Sequence, residues 1–206
     1  MSDEKYEFSQ DWFSWAPPVW SQLIGILPAR KQFLEIGSYE GTSTVWTLEH
    51  MLEDGGCLVA VDTWEGGDEH KKAATDMSVV EARFKRNIDI ATAKFPERRV
   101  EKLKMDSRTA LAKMMTPAQA QFDFIYIDGS HRARDVLTDA VMAFPLLKDG
   151  GIMVFDDYQW GDPTSATERP KVAIDAFTTI FADEFQIIHA AYQLAGKKVN
   201  RGDKSE

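Results

Sequence analysis

The chain has 206 residues, a length that fits one domain of ordinary size. Hydrophobic residues make up 44% of the sequence and charged residues 28%, and no stretch approaches the roughly 18 apolar residues of a membrane span, so disordered, collagen-like and transmembrane proteins are excluded. The net charge of −9 disfavours binding to nucleic acid and to anionic membrane surfaces.

Short apolar segments alternate with helical patterns along the chain. Strands are predicted at residues 32–36, 57–61, 100–104, 122–127, 152–155 and 185–190, with a last one near 192–199. Helices are predicted between them, at residues 41–52, 73–95, 107–114, 132–147 and 171–181. Apolar strands that alternate with helices are typical of an α/β fold with a largely parallel sheet covered on both faces. Ligands of such sheets bind at the carboxyl ends of the strands.

The segment EIGSYEGTSTVW follows the first predicted strand. Gly37 permits a tight turn, and Gly41 opens a helix whose free N–H groups can hold an anion. Tyr39 stands where a dinucleotide-binding loop has its middle glycine, so a pyrophosphate would clash with the tyrosine side chain. A smaller anion fits better, such as an amino-acid carboxylate held by the helix N-terminus and the hydroxyls of Thr42 or Ser43. The alternative is that both glycines serve only chain geometry.

Polar side chains also end the first three predicted strands. Glu35 would face the ammonium group that accompanies such a carboxylate, and Asp62 is placed to accept hydrogen bonds from a ribose diol, with the flat ring of Trp64 beside it. Asp106 and Ser107 would bind an adenine edge, although for Ser107 a helix cap is the favoured interpretation. Together these features indicate S-adenosylmethionine. The residues predicted to bind it are Glu35, Gly37, Ser38, Tyr39, Gly41, Thr42, Ser43, Asp62, Thr63, Trp64, Asp106 and Ser107.

Three carboxylates follow the fourth and fifth predicted strands. Asp128 ends one strand, and Asp156 and Asp157 end the other. If the two strands are neighbours, about 4.8 Å apart, the carboxylates converge and require a cation or raised pKa values. Oxygen ligands suit Mg²⁺, with Mn²⁺ or Ca²⁺ as alternatives, and they disfavour zinc. The competing interpretation is that Asp156 caps a turn and Asp157 is solvated.

His131 is the candidate general base. It lies three residues after Asp128, at the start of the next predicted helix. A metal-bound hydroxyl is more acidic than a free one, so even a modest base can remove its proton. The other histidines are assigned structural positions: His50 on a helix surface, His189 in a strand and His70 in a loop.

Residues 32–199 resemble the class I S-adenosylmethionine-dependent methyltransferases, closest to the metal-dependent O-methyltransferases of the catechol and macrolide-sugar types. The pattern E-x-G-x-Y-x-G-x-S, which binds the methionine end of the cofactor in those families, reads here Glu35, Gly37, Tyr39, Gly41 and Ser43. The segments AVDTWEGGDEH and YQLAGKKV add to the likeness. The resemblance implies a Rossmann-like class I methyltransferase fold with a seven-stranded, mostly parallel sheet, helices on both faces and an antiparallel last strand.

The resemblance also implies roles for the polar residues. Asp62 would hold the ribose, with Trp64 and Ser107 flanking the adenine, and His131 would occupy the position of the general base. The implied Mg²⁺ ligands are Asp128, Asp156 and Asp157. Catechol enzymes carry Lys at the position of His131 and Asn at that of Asp157, so the match there is to the sugar-modifying branch.

The sequence therefore predicts Mg²⁺-assisted transfer of a methyl group to a hydroxyl of a small sugar-bearing or phenolic molecule. Two alternatives are a metal-dependent hydrolase or hydroxylase on a similar sheet and a non-catalytic protein that binds an adenosyl ligand. The acceptor is expected against the loop 158–171, through Tyr158 and Trp160. The aromatic residues of the N-terminal segment offer a second wall for the acceptor, but packing on the sheet or on a second subunit of a homo-oligomer is the favoured interpretation; they are Trp12, Phe13, Trp15 and Trp20.

The chain is predicted to divide into an N-terminal helical and aromatic segment at residues 1–30, a methyltransferase domain at 31–200 and a polar tail at 201–206. Cys57 is the only cysteine, which excludes an internal disulfide and a cysteine-based zinc cluster. The N-terminal sequence lacks the basic start and apolar run of a secretion signal. These features predict a cytoplasmic protein.

Overall fold

The computed structural model describes residues 5–115, 120–165 and 167–200. The predicted polar tail at 201–206 lies outside the described residues. Within them, seven strands form one sheet. The strands are β1 (Gln32–Ile36), β2 (Cys57–Asp62), β3 (Arg99–Lys104), β4 (Phe122–Ile127), β5 (Leu147–Phe155), β6 (Phe185–Ala190) and β7 (Leu194–Lys198).

The α-helices of the described chain connect and flank these strands. They are α1 (Pro17–Ile24), α2 (Thr42–His50), α3 (Asp68–Lys72), α4 (Met77–Lys94), α5 (Ser107–Met114), α6 (Ala133–Ala143) and α7 (Pro170–Ile180). Over this described part, none of the helices has the length and apolar content that a membrane span needs.

The strand order in the sheet is β3-β2-β1-β4-β5-β7-β6. Strands β1 to β5 pair in parallel, whereas β7 runs antiparallel to both of its neighbours. This topology confirms the predicted fold class, including the antiparallel last strand.

The register of the parallel strands brings their carboxyl ends to one level. Ile36 of β1 pairs with Val61 of β2 and with Ile127 of β4, and Ile127 pairs with Phe155 of β5. The residues that follow these four on their strands are Gly37, Asp62, Asp128 and Asp156. The side chains predicted to carry function therefore emerge side by side at one edge of the sheet.

Two hydrophobic clusters cover the two faces of the sheet. On one face, Leu34 and Ile36 of β1 belong to a cluster with α5, α6 and α7. On the other face, Phe33 of β1 belongs to a cluster with α1, α2 and α4, in which Trp20 is fully buried. Because side chains alternate along a strand, β1 contributes to both clusters. The N-terminal segment therefore packs on the same core as the rest of the chain.

Two predicted helices end or begin elsewhere. The helix predicted at 73–95 begins only at Met77, because the side chain of Asp76 accepts a hydrogen bond from the N–H of Ser78 (3.0 Å) and caps it. His70, assigned to a loop from the sequence, lies in the short helix α3. The helix predicted at 132–147 ends at Ala143, since Pro145 stands in the next turn and has no N–H to donate.

Candidate functional site

A cavity of about 1170 Å³ opens at the carboxyl ends of β1, β2, β4 and β5. Its wall contains every predicted cofactor, metal and catalytic residue except Glu35, Gly41 and Trp64. A pocket for one small ligand usually measures about 300–1,000 Å³. This cavity therefore has room for a cofactor and a second small molecule.

The loop between β1 and α2 contains two glycines in left-handed backbone conformations. At Gly37 φ is +86°, and a Cβ atom there would lie 2.0 Å from the carbonyl oxygen of Asp128. At Gly41, which precedes α2, φ is +83° and a Cβ would lie 3.0 Å from the ring of Phe84. Chain geometry thus requires both glycines. The N-terminus of α2 nevertheless faces the cavity, since Thr42 lies in its wall.

Asp62 braces this loop from the end of β2. Its Oδ2 accepts hydrogen bonds from the N–H groups of Ser38 (2.9 Å) and Tyr39 (3.0 Å), and its Oδ1 accepts one from Trp64 (2.7 Å). Binding of a ribose to Asp62 stays a prediction. The indole of Trp64 is buried against Phe84 and donates to the carbonyl of Tyr39 (2.9 Å), so it lies behind the loop and offers no face to an adenine ring in the cavity.

Glu35 lies behind the cavity wall. Its buried carboxylate accepts hydrogen bonds from the hydroxyls of Ser43, Thr44 and Ser38, the last at 3.3 Å. Burial raises the pKa of Glu35 to about 7, although these hydroxyls act in the opposite direction. Glu35 therefore ties β1 to the loop and to α2, and it does not face a bound ammonium group as predicted.

This buried carboxyl makes stability depend on pH. The pKa of Glu35 is about 7 in the folded chain against 4.5 for a free glutamate, so between these values the folded state holds the extra proton. Its contribution to the free energy of unfolding is fully present below pH 4.5 and is lost as the pH rises through 7. Over this interval we expect the free energy of unfolding of the wild type to lose about 3 kcal/mol through Glu35, and Glu35→Gln to lack that loss. Urea unfolding at pH 5 to 8 measures it, and a difference between wild type and variant that stays constant with pH contradicts the expectation.

Ser107 and Asp106 begin α5, and both line the cavity. The cap of α5 is Asp106, whose Oδ1 accepts from the N–H of Thr109 (3.0 Å), so the cap interpretation of Ser107 is wrong. Ser107 donates instead to Oδ1 of Asp139 (2.6 Å), where burial raises the aspartate pKa to about 6. Asp139 was not predicted. The sequence could have indicated Asp139, because it lies three residues after Val136 and therefore on the same buried face of α6.

The carboxylates of Asp128 and Asp156 meet at the hydroxyl of Tyr126. The Tyr126 oxygen lies 3.0 Å from Oδ2 of Asp128 and also contacts Oδ2 of Asp156. Desolvation, followed by the charges of Asp156 and Asp157, holds the pKa of Asp128 well above its usual value. Desolvation and the charge of Asp157 raise the pKa of Asp156 to about 6. The predicted convergence is present, and negative charge is in excess there.

Asp157 turns away from this pair and contacts His131. Its Oδ2 lies 2.7 Å from Nε2 of His131, and its Oδ1 accepts from the hydroxyl of Tyr192 (2.8 Å). Only 15% of the Asp157 side chain is exposed, so the alternative of a solvated Asp157 is wrong. The ring of Trp160 stacks on His131, with ring centroids 4.0 Å apart.

Aromatic side chains surround the mouth of the cavity. Trp12 packs on Tyr39 at 5.0 Å and Trp15 meets Tyr192 edge-on at 5.1 Å, so the N-terminal segment contacts both sides of the opening. Phe13 lines the cavity and also packs edge-on against Trp20 in the core, with ring centroids 4.9 Å apart. The expectation of packing on the sheet therefore holds for Phe13 and Trp20, whereas Trp12 and Trp15 lie at the mouth of the cavity. The acceptor was also expected to contact Tyr158, and this expectation is corrected. Tyr158 lies outside the cavity wall, and its hydroxyl donates to Asp175 (2.8 Å).

Comparison with known proteins decides the family. Residues 34–158, more than half of the chain, match a family model described as a methyltransferase domain. The chain belongs to the class I S-adenosylmethionine-dependent methyltransferases. No curated protein matches this methyltransferase in sequence.

Solved structures share the fold of this methyltransferase. The O-methyltransferase from Bacillus cereus, solved in complex with SAH, superposes with a TM-score of 0.61 at 21% identity, over 95% of this chain and 84% of that one. The MycE methyltransferase of the mycinamycin biosynthetic pathway, in complex with Mg, SAH and mycinamycin VI, gives a TM-score of 0.58 at 17% identity, over 96% of this chain and 51% of that one. At these identities the likeness establishes the fold.

The carboxylates of the methyltransferase suit a divalent cation by their chemistry. As the side chains stand, no three His, Cys, Asp or Glu residues of the described chain are grouped to hold a metal ion. Asp128 and Asp156 share the hydroxyl of Tyr126, while Asp157 pairs with His131. The donors are hard oxygen atoms, which a divalent cation such as Mg²⁺ prefers. Desolvation and then the charges of neighbouring aspartates raise the pKa values of Asp128 and Asp156, and a cation would offset both effects. The donor set therefore fits the predicted metal.

Proposed function

We propose that this methyltransferase transfers the methyl group of S-adenosylmethionine to a hydroxyl oxygen of a small molecule, assisted by Mg²⁺ or another divalent cation. The observation that carries the proposal is a single cavity that joins the glycine loop after β1 to the carboxylates after β4 and β5. His131 lies in the same wall. A donor and an acceptor can therefore be held next to each other in one cavity.

The cofactor would lie along the ends of β1, β2 and the start of α5. The N-terminus of α2, where Thr42 and Ser43 line the cavity, would hold the carboxylate of its methionine part. Asp62 would accept from the ribose hydroxyls, and the linked pair Ser107 and Asp139 would meet the adenine edge. Asp139 replaces Trp64 in this proposal because Trp64 is buried behind the loop.

The acceptor would lie at the other end of the cavity, between His131 and the carboxylates. As the carbon–oxygen bond forms, the carbon–sulfur bond of the donor breaks, and the acceptor hydroxyl proton passes to the imidazole of His131. Nε2 of this ring lies 2.7 Å from Oδ2 of Asp157, which stabilises the protonated imidazole. A divalent cation held by Asp128, Asp156 and Asp157 would make the acceptor hydroxyl more acidic. Trp12 and Trp160 would flank the acceptor.

Calorimetry with S-adenosylhomocysteine, with Mg²⁺ and with chelator, tests the proposal. We expect one binding site per chain and, in an acceptor screen, methyl transfer that needs the divalent cation. Metal binding without binding of S-adenosylhomocysteine would favour the hydrolase or hydroxylase alternative. Binding of S-adenosylhomocysteine with no transfer to any acceptor would favour the non-catalytic alternative.

Asp62→Ala is expected to weaken binding of S-adenosylhomocysteine by about 10- to 100-fold. The variant loses a charged acceptor for the ribose, worth about 1.5–3 kcal/mol, and the brace on the amides of Ser38 and Tyr39. Asp89→Ala is the matched control. Asp89 is exposed on α4, and in the described part of the chain its carboxylate pairs only with Lys85. Equal affinities of the two variants, measured by calorimetry, would contradict the placement of the ribose.

A further inference from the structure

Tyr126 occupies a position that the proposed chemistry does not use. It lies on β4, two residues before Asp128, and its side chain is buried among core residues while its hydroxyl reaches the cavity wall. That hydroxyl contacts both Asp128 and Asp156, which end adjacent strands. It is the point at which the two carboxylates meet.

A chain of buried hydrogen bonds fixes the position of this hydroxyl. Nε1 of Trp20 donates to Oε1 of Gln193 (2.8 Å), and Nε2 of Gln193 donates to the Tyr126 oxygen (3.4 Å). Gln193 is 0% exposed. The ring of Trp20 also packs edge-on against that of Tyr126, at 4.7 Å between centroids. Helix α1 and the residue before β7 thereby hold the phenol from two directions.

A phenol carries one proton, which limits what Tyr126 can do. Its oxygen accepts from Gln193 and can donate to only one carboxylate at a time, although oxygens of both Asp128 and Asp156 lie within hydrogen-bond distance of it. Either way, it keeps both side chains turned toward one point against their mutual repulsion. Without the hydroxyl, Asp128 would lose the hydrogen bond that turns its carboxylate toward Asp156, whereas Asp156 would keep the one that its Oδ1 accepts from the N–H of Asp157 (2.8 Å).

We infer that Tyr126 is a positioning residue that holds Asp128 and Asp156 ready for a divalent cation. The inference rests on the proposed function, because it concerns the same carboxylates. Groups that hydrogen-bond to metal ligands typically contribute 10- to 100-fold to metal affinity, since they fix the direction of the ligand atoms. Tyr126→Phe keeps the ring and removes only the hydroxyl, so we expect the cation to bind about 10-fold more weakly or worse.

The experiment titrates Mn²⁺ into the full-length chain by calorimetry. Tyr126→Phe should lose affinity for Mn²⁺ while its affinity for S-adenosylhomocysteine stays close to wild type. Its melting temperature should fall, because the buried Nε2 of Gln193 loses its acceptor, but the variant should remain folded at the temperature of the titration. Gln193→Met, which removes the donor to the phenol, should give a smaller loss in the same direction, and it carries the test if Tyr126→Phe does not fold. Tyr6→Phe is the matched control, since it deletes a phenol that donates to Glu49 (2.5 Å) away from the cavity wall.

The outcomes separate this inference from the proposed function. If wild type binds Mn²⁺ and Tyr126→Phe binds it equally well or more tightly, the role of Tyr126 is overturned and the metal site stands. If wild type binds no Mn²⁺, the metal part of the proposed function fails and this inference fails with it. A loss in Tyr6→Phe as large as that in Tyr126→Phe would also overturn the inference.

Discussion

His131→Ala is expected to lower the turnover of methyl transfer by about 10²- to 10⁴-fold, the usual contribution of a positioned general base. The variant loses the imidazole that takes the acceptor proton, and Oδ2 of Asp157 loses its contact at 2.7 Å. Affinity for S-adenosylhomocysteine should change by less than about twofold, because His131 lies at the acceptor end of the cavity. Steady-state kinetics and calorimetry on the same preparation measure both quantities.

His50→Ala is the control for this prediction. His50 is exposed on α2 and packs beside Trp46, so its loss should leave turnover unchanged. If turnover of His131→Ala falls only as much as the amount of folded protein, the main role of His131 is to stack on Trp160. Unchanged turnover would remove His131 from the proposed mechanism.

The central strands could be predicted because they are largely apolar and buried on both faces, as the patterns of β1 and β4 show. β1, β4 and β6 have the predicted bounds, although β6 lies at the edge of the sheet and is largely exposed. The start of β5 was missed by five residues, because the strand was predicted to begin at Ile152 and begins at Leu147. A register shift between Phe122 and Phe124 lets β5 begin early beside β4.

The site was predictable where it depends on strand ends. Residues that follow parallel strands must meet at one edge, so the neighbourhood of Asp62, Asp128 and Asp156 follows from order and register alone. The direction of the Glu35 side chain was predicted wrongly, although the alternation of side chains along β1 indicates it. It shares the side of β1 with Phe33, which faces α2, and its carboxylate accordingly reaches the hydroxyls of that helix.

Other site residues depend on contacts between distant parts of the chain. The bond between Trp20 and Gln193 spans 173 positions in sequence and exists only because α1 packs beside β7 on the finished sheet. Tyr192 likewise reaches Asp157 across 35 positions. Local pattern and spacing carry no signal for such pairs, so both were outside what the sequence could predict.

Gly37→Ala is expected to destabilise the methyltransferase by at least about 3 kcal/mol and to abolish measurable binding of S-adenosylhomocysteine. An alanine in this left-handed conformation costs about 1–2 kcal/mol. Its Cβ would also lie 2.0 Å from the carbonyl oxygen of Asp128, so β1 and β4 must separate at their ends. That movement weakens the backbone bonds from Gly37 to Val61 and from Asp128 to Ile36, both 2.8 Å. Thermal unfolding should show a melting temperature lower by about 6–12 °C.

Gly55→Ala separates the clash from the backbone conformation. Gly55 has a similar φ of +80°, but the nearest atom to an added Cβ is the flexible Nζ of Lys31 at 4.0 Å. We therefore expect a loss of only about 1–2 kcal/mol and an unchanged affinity for S-adenosylhomocysteine. If the two variants are equally destabilised, the close approach of β1 to the carbonyl of Asp128 is not what requires glycine at position 37. If Gly37→Ala still binds S-adenosylhomocysteine as wild type does, the cofactor does not depend on this loop.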